Sequence, residues 1–409
     1  MRRQLPVGAT LAAILALAAC HDGQPAESWL GDLTPGTSPA GTGSRYPHLA
    51  TGDDGRVVLS WLQAQPQGGF ALQHAAWRDG HWSEVATVAS GTDWFVNWAD
   101  FPSVVPITAS TWAAHWLQQK PGSVYSYDVR VAISRDAGAT WSVPMSPHDD
   151  GTPTEHGFVT LYPGDGNAQA VWLDGRHTGG GHDHSDSGPG AMTLRAAAIG
   201  TTGLRIGTDQ EIDGRVCDCC QTDVALTTDG PVVVYRDRSA GEVRDIALAR
   251  HQDGGWSEPV HVHADGWKID ACPVNGPAID ARGRTLAVAW FTAPDRPRMR
   301  LAFSDDAGRT FTTPVEVASG DVAGRVDVVL LDDGRAVVSW LQQAPAGAEI
   351  RAQPFTRDGA AGPAVVIAGT SVHRSSGFPQ MVRAGDGLMF AWTDAGDPPQ
   401  VRAAFARLR

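Results

Sequence analysis

The sequence has few charged residues and no excess of positive charge. Charged side chains make up 19% of its 409 residues, and 45 acidic residues outnumber 32 basic ones, for a net charge of −13. The basic footprint that nucleic-acid-binding proteins carry is therefore absent, and we expect no nucleic-acid partner. Glycine (47), proline (27) and tryptophan (15) are abundant instead. This profile argues against helical bundles and coiled coils and favours an all-β protein with many turns.

An apolar run near the start of the chain is too short to be read as a stable membrane span. It covers Leu11–Ala19, follows Arg2 and Arg3, and ends in small residues. A positive start, an apolar middle and a small-residue end are typical of a signal peptide. We therefore expect residues 1–19 to be an export signal.

The residues at the end of this run carry a more specific resemblance. Leu17-Ala18-Ala19-Cys20 resembles the lipobox of bacterial lipoproteins, which implies cleavage before Cys20 and a lipid on its thiol. The expected organisation is a lipidated Cys20 with a flexible linker over residues 20–44, and a folded domain over residues 45–409. Such a protein would be held by its lipid at a membrane of the bacterial cell envelope, facing the periplasm or the exterior. The alternative is a plain secretory signal in which Cys20 is incidental.

A recurring pattern fills the rest of the chain. Short apolar strands close on an aromatic residue at intervals of 50 to 63 residues: Trp61, Trp116, Trp172, Tyr235, Trp290, Trp340 and Trp392. A strand precedes each of these, one or two follow, and Asp-Gly turns link the first two strands in several units. Periods near 50 residues predict a β-propeller of four-stranded antiparallel blades, seven by this count. The seventh unit ends after three strands, so we expect Ser28–Leu33 to supply its fourth and close the ring.

Two turns carry a family resemblance. Ser134–Trp141 (SRDAGATW) and Ser304–Phe311 (SDDAGRTF) resemble the Asp box, or BNR repeat, of the sialidase-like propellers. The family includes hydrolases of terminal sialic acids, so the resemblance implies an exo-sialidase-like glycoside hydrolase if the chain is an enzyme. Sialidases have six blades, which makes six the alternative to seven.

The resemblance also implies a set of site residues. Arg45-Tyr46-Pro47 is similar to the family's Arg-Ile-Pro, so Arg45, Arg325 and Arg374 become candidates for the three arginines that bind the substrate carboxylate. The family's tyrosine nucleophile lies late in the chain, whereas the last tyrosine here is Tyr235. The sequence therefore leaves open whether the protein is an enzyme.

Strand alternation brings two sets of connections to one face of a propeller, and we call it the loop face. It carries the fourth-to-first connections between blades and the second-to-third loops within blades. Functional residues concentrate on such loops. Among them we expect Glu155 and Asp174 to act as general acid or base, and Arg176, Arg236 and Arg238 to join the ligand-binding arginines.

Four cysteines besides Cys20 form the sharpest local feature. They are Cys217, Cys219, Cys220 and Cys272, and the loop holding His182 and His184 leaves the preceding unit. Their density suits Cu(I) or Zn(II). The alternative is one or two disulfides, for example from Cys272 to Cys219 or Cys220, as expected in an oxidising compartment.

Three functions remain open from the sequence. The first is binding of a glycan or another anionic small ligand where the loop face meets the central channel, with or without hydrolysis. The second is a metal-binding or redox role of the cysteines and histidines. The third is a non-enzymatic scaffold that docks a partner protein.

Overall fold

The computed structural model describes Met1 and residues 28–36, 38–179, 190–202 and 205–409. Cys20 and the predicted signal beyond Met1 lie outside these residues, as do His182 and His184. Within them the chain forms thirty β-strands and one 3-10 helix, Arg374–Ser376. No helix in these segments is long and apolar enough to cross a membrane.

The strands form seven antiparallel sheets, which follow one another along the chain after β1 (Thr34–Gly36). Blade 1 contains β2 (Ser44–Thr51), β3 (Val57–Ala64), β4 (Phe70–Arg78), β5 (His81–Trp82) and β6 (Ala86–Gly91). Blade 2 contains β7 (Ser103–Pro106), β8 (Trp112–Gln119) and β9 (Tyr127–Ser134). Blade 3 contains β10 (His156–Gly164), β11 (Asn167–Asp174), β12 (Thr193–Ile199) and β13 (Gln210–Asp213).

The second half of the ring repeats the arrangement. Blade 4 contains β14 (Asp223–Thr227), β15 (Gly230–Arg236), β16 (Ile246–Gln252), β17 (Gly255–Trp256) and β18 (Val260–His261). Blade 5 contains β19 (Ala278–Arg282), β20 (Thr285–Thr292), β21 (Arg298–Ser304) and β22 (Val315–Ser319). Blade 6 contains β23 (Val322–Leu330), β24 (Ala336–Ala344), β25 (Gly347–Thr356), β26 (Gly359–Ala360) and β27 (Val365–Thr370). Blade 7 contains β28 (Gln380–Ala384), β29 (Gly387–Asp394) and β30 (Gln400–Arg407).

The predicted seven-bladed propeller is confirmed. Blade 2 departs slightly from the four-stranded pattern, because a single bridge between Val131 and Met145 stands where its fourth strand would be. The second strand of each blade is apolar on both sides because it packs between neighbouring blades. Its aromatic residues are among the most buried of the described side chains, with Trp61 and Trp172 fully enclosed.

The N-terminal segment closes the ring. β1 pairs with β30 in the seventh blade, with Thr34 opposite Phe405. The pairing extends towards the N-terminus, where Leu30 bridges Leu408 and the Gly31 N–H donates to the Arg407 carbonyl at 2.8 Å. The closing strand thus lies at Thr34–Gly36, a few residues later than the predicted Ser28–Leu33 and inside the segment predicted to be a flexible linker.

Aspartates on the innermost strands join neighbouring blades. Asp223 accepts the Ile279 N–H at 2.8 Å, and Asp280 accepts the Leu330 N–H at 2.7 Å. Asp327 in turn accepts the Met381 N–H at 2.7 Å. Each bond links one blade to the next. These carboxyl groups also line a central cavity of about 630 Å³.

Candidate functional site

A short segment lies across the loop-face end of the central channel. We call residues 97–101, from the connection between blades 1 and 2, the cover segment. The Ala99 carbonyl accepts a hydrogen bond from Gln221 Nε2, at the entrance to blade 4, at 2.7 Å. Trp98 stacks on Phe378, at the entrance to blade 7, with ring centroids 5.6 Å apart. A ligand on this face therefore meets the cover segment and its neighbouring loops instead of entering the channel.

Arg325 anchors the cover segment. Its guanidinium lies 4.9 Å from the Trp98 ring and donates to Ser376 Oγ at 2.5 Å. It also donates to three backbone carbonyls, those of Val372, His373 and Gly377. Arg325 is buried, and its burial lowers its pKa to about 10. Binding of a substrate carboxylate by Arg325 stays a prediction, and in the structure its Nη1 and Nη2 already donate to these four acceptors.

Arg236 is saturated in the same way. It is buried and donates to the backbone carbonyls of Asn275, Arg244 and Phe291, at distances of 2.6 to 3.0 Å. Its guanidinium also lies 4.9 Å from the ring of Trp267. Burial lowers its pKa to about 10. Arg236 therefore ties blade 4 to blade 5, and its role as a ligand-binding residue stays a prediction.

The other predicted arginines differ in how exposed their guanidinium groups are and in whether they are paired with carboxylates. Arg238 pairs with Glu242 at 2.8 Å and with Asp218 at 3.2 Å. Arg176 pairs with Asp174 and Asp209, both at 2.7 Å. Arg45 is half-buried and lies 5.2 Å from the ring of Phe70. Arg374 is exposed at the start of the short helix, 5.8 Å from the Trp98 ring.

Glu155 lies at the centre of the loop-face chemistry. A single parallel bridge joins it to Tyr127, and its carbonyl accepts the Gly175 N–H at 2.8 Å. Burial, together with the negative charges of Asp100, Asp218 and Cys272, raises the pKa of its carboxyl group to about 8. Glu155 is therefore a carboxyl group that holds its proton at neutral pH.

Asp100 is the carboxyl group behind Glu155. It accepts the Phe158 N–H at 2.7 Å and the Tyr127 hydroxyl at 3.2 Å. Burial raises its pKa to about 7. Asp100 is 3% exposed, so its side chain has almost no contact with solvent. Its negative charge contributes to the raised pKa of Glu155.

Asp174 does not join this group. Its side chain is fully buried, accepts the Trp172 indole N–H at 2.8 Å, and pairs with Arg176. Burial opposes ionisation, but the hydrogen bonds from Arg176 and the charge of His156 give a net lowering of its pKa. The catalytic role of Asp174 stays a prediction, and in the structure its side chain is fully buried.

Two histidines stand next to Asp174, and the sequence analysis did not single out one of them, His148. The rings of His148 and His156 stack at 3.8 Å, and His156 Nε2 lies 3.0 Å from Asp150 Oδ2. Together with Asp128 these residues could hold a metal ion. However, Lys120 and Arg176 already place positive charge at the carboxylates of Asp128 and Asp150, at 3.0 and 3.6 Å. The dense His-Asp-Asp run at 148–150 was the signal that could have found the cluster.

The four cysteines meet at the loop face. Cys217 and Cys220 form a disulfide, while Cys219 and Cys272 are free. The Sγ atoms of Cys217 and Cys219 lie 4.0 Å apart, and the side chains of Cys219 and Cys272 hydrogen-bond to each other. The Arg244 guanidinium, which the sequence gave no reason to single out, points Nη1 at the Cys217 Sγ at 3.7 Å.

No protein-family model matches the chain, and no curated protein matches its sequence. Among solved structures, the chain is similar to a protein of unknown function from Dyadobacter fermentans at 14% identity and a TM-score of 0.50. That match covers 93% of this chain and 99% of the other. It is also similar to the NanB sialidase of Streptococcus pneumoniae (11% identity, TM-score 0.42, 94% of this chain and 71% of that one). A third match is an α-L-arabinofuranosidase of Fusarium graminearum (13% identity, TM-score 0.47, 93% and 97%). Identities this low bear on the fold alone, and that fold is a seven-bladed β-propeller.

Proposed function

We propose that this protein is an exported, lipid-anchored propeller of the bacterial cell envelope that binds a neutral glycan on its loop face. In the proposed reaction, Glu155 protonates the leaving oxygen of a glycosidic bond. The observation that carries the proposal is the place of Glu155 on the loop face, beside Asp100 and Asp218. Export and anchoring rest on the leader and on the lipobox-like residues that end at Cys20.

Glycoside hydrolysis needs a carboxyl group that is still protonated near the working pH. The raised pKa of Glu155 meets that need. A second carboxyl group completes the usual pair in these enzymes, and Asp218 is the candidate closest to solvent in this cluster. Its side chain is 12% exposed and is held at 3.2 Å by Arg238.

One exposed aromatic side chain near Glu155, that of Tyr125, supplies a surface on which a sugar ring can stack, and the more buried rings of Phe95 and Tyr127 lie behind it. Phe95 and Tyr127 stack with centroids 4.0 Å apart, and Tyr125 lies 6.0 Å from Phe95. Tyr125 is 42% exposed. Because Tyr127 is bridged to Glu155, these rings border the proposed proton donor.

The charge of the site favours a neutral glycan over a sialylated one. Arg236 and Arg325 are saturated by backbone carbonyls, and Arg238 is paired with Glu242 and Asp218. The group around Glu155 contains further carboxyl groups and a thiol. An anionic sugar placed there would meet like charges without an open arginine triad to offset them.

The test compares the wild-type chain with Glu155→Gln on neutral and sialylated aryl glycosides and on a glycan array. Glu84→Gln, an exposed glutamate on blade 1, is the matched control. We expect Glu155→Gln to keep glycan binding and to lose about 10²–10⁴-fold in kcat/KM. Wild-type activity should fall as the pH rises through about 8, because the donor must be protonated.

Two results would contradict the proposal. One is a wild-type chain that binds sialylated glycans in preference to neutral ones. The other is a Glu155→Gln variant with unchanged kcat/KM. The anchor has its own test, since Cys20→Ser should move the protein from the membrane fraction to the soluble fraction of the envelope.

A further inference from the structure

We propose that Cys217, Cys219, Cys220 and Cys272, here called the cysteine cluster, form a four-sulfur site for a thiophilic d¹⁰ ion, Zn(II) or Cu(I), when the Cys217–Cys220 bond is reduced. This site adjoins the glycan-directed chemistry of Glu155, since Cys272 and Asp218 lie close to that carboxyl group, but neither proposal requires the other. The two ions share one ligand chemistry, because both prefer thiolate sulfur.

The spacing of the sulfurs carries the first part of the argument. A tetrahedral ion with metal–sulfur bonds of about 2.3 Å holds its sulfurs about 3.8 Å apart. Cys217 and Cys219 are 4.0 Å apart at their Sγ atoms. The Sγ atoms of Cys217, Cys219 and Cys220 all lie within 4.8 Å of one another, and the Cys272 side chain hydrogen-bonds to Cys219. The fold thus gathers three sulfurs within 4.8 Å of one another and places the fourth, that of Cys272, beside Cys219.

Hydrogen-bond donors aimed at the sulfurs carry the second part. Arg244, whose side chain is 2% exposed, directs Nη1 at the Cys217 Sγ at 3.7 Å. The backbone N–H of Val274 donates to the Cys219 sulfur. Donors of this kind stabilise thiolates and commonly surround metal-bound sulfur. A neutral disulfide sulfur is a weak acceptor and gives little reason to bury a guanidinium against it.

The backbone at Val274 carries the third part. Its φ is +47°, a left-handed conformation that β-branched residues rarely adopt. Strain of this kind persists where the surrounding structure holds it and clusters at functional sites. Here the conformation accompanies an N–H that donates to Cys219, two residues after Cys272.

Neighbouring charges fix the donors in place. Arg244 pairs with Glu242 at 2.8 Å and with Asp218 at 3.5 Å, and Arg238 pairs with the same two carboxylates. Two arginines and two acids therefore form a closed network along one side of the cysteine cluster. This network holds the Arg244 guanidinium beside Cys217, as outer-shell partners do at metal sites.

The oxidised and metal-bound forms differ by two electrons and the ion. Two molecules of a small thiol reduce the Cys217–Cys220 disulfide, and the small thiol is oxidised to its own disulfide. The two cysteine sulfurs take up the electron pair and two protons. When the ion binds, it displaces the protons of the cysteine thiols, and these protons pass to water.

The test uses the full chain carrying Cys20→Ser, which leaves four of its five cysteines. The protein is reduced anaerobically and titrated separately with Zn(II), Cu(I) and, as a spectroscopic probe, Co(II). We expect one ion per chain, protection of all four thiols from alkylation, and the intense absorption bands of tetrahedral Co(II)–thiolate. The preferred ion follows from competition of Zn(II) and Cu(I) against chelators of known affinity.

Variants and the oxidised protein supply the controls. Cys219→Ser and Cys272→Ser should each weaken binding at least tenfold, and Arg244→Gln should weaken it about 10–100-fold. Oxidised protein retains two thiols and should bind at least a hundredfold more weakly than the reduced form. This comparison needs no substitution in the cluster, so it stands even if a variant fails to fold. Equal binding by the oxidised and reduced chains, or no stoichiometric ion in the reduced chain, would overturn the proposal.

Discussion

The hydrogen bond from Met381 to Asp327 gives the sharpest test of how the ring holds together. Asp327 Oδ2 accepts the Met381 N–H of blade 7 at 2.7 Å, and Oδ1 accepts the Val328 N–H at 2.8 Å. Asp327→Ala removes both acceptors. A buried donor left unpaired costs about 1–3 kcal/mol, and water in the channel can reach this position. We therefore expect a loss of about 2–4 kcal/mol in the free energy of unfolding at pH 5.

The loss should depend on pH in a defined direction. Desolvation in the channel, together with Asp223 and Asp280, raises the pKa of Asp327 to about 8, whereas an unfolded aspartate titrates near about 3.9. The folded state therefore binds a proton that the unfolded state has released, and this contribution to stability is present at low pH. It is lost as the pH rises from about 3.9 to about 8, with a slope of at most about 1.4 kcal/mol per pH unit, and the slope vanishes above about pH 8. The effect of Asp327→Ala should accordingly shrink between pH 5 and pH 9.

Urea unfolding at pH 5, 7 and 9 measures both quantities through the midpoint and slope of each transition. Asp358→Ala, at an exposed turn of the same blade, is the matched control and should change stability by less than about 0.5 kcal/mol. An Asp327→Ala variant as stable as this control would refute the role of the hydrogen bond between blades. A loss of equal size at all three pH values would refute the raised pKa.

Two further predictions follow from the loop face and from the turns. Arg325→Ala should lower the free energy of unfolding by about 2–4 kcal/mol, because several buried acceptors lose their donor. The control variant Arg374→Ala should lower it by less than about 0.5 kcal/mol. Equal melting temperatures of the two variants would refute the anchoring role of Arg325. Gly138 and Gly80 both have positive φ, but an added Cβ at Gly138 would lie 2.9 Å from Trp112, and one at Gly80 would meet nothing within 4 Å. Gly138→Ala should therefore cost about 1–3 kcal/mol more than Gly80→Ala, and thermal unfolding of the pair checks this.

The architecture could be predicted from the sequence because its signal repeats. A single strand ending in tryptophan says little, but seven such strands at similar spacing, each followed by the same companions, specify a ring. The side of the ring on which each connection lies also follows from strand alternation alone. This argument is enough to place Glu155 on one face with Cys219 and Cys272, and the structure brings these residues together.

The roles of the charged residues could not be predicted in the same way. A sequence shows that Arg236 and Arg325 flank inner strands, but it does not show which acceptors surround them. In the structure both donate to several backbone carbonyls, and Arg325 donates to the Ser376 hydroxyl as well. The pairing of Asp174 was not predictable for a related reason. Its partner Arg176 lies two residues later in the chain, and the Arg176 side chain donates a hydrogen bond to the Asp174 carboxylate. Motif spacing identifies residues of the right type, whereas burial and pairing decide whether a ligand can reach them.

The cover segment determines where a ligand can bind on this propeller. In an open ring the channel end itself would be the site, and side chains from all seven blades would converge on it. Here Trp98 and Ala99 fill that position. Ala99 accepts a hydrogen bond from a residue at the entrance to blade 4, and the Trp98 ring contacts residues of blades 6 and 7. The accessible chemistry is therefore displaced to one side, where the connections before blades 3, 4 and 5 bring Glu155, Asp218 and Cys272 together. The arginines on that side are already paired, so carboxyl and thiol groups are the ones that remain available to a ligand. Proton donation and binding of a thiophilic ion are the chemistries that such groups can support.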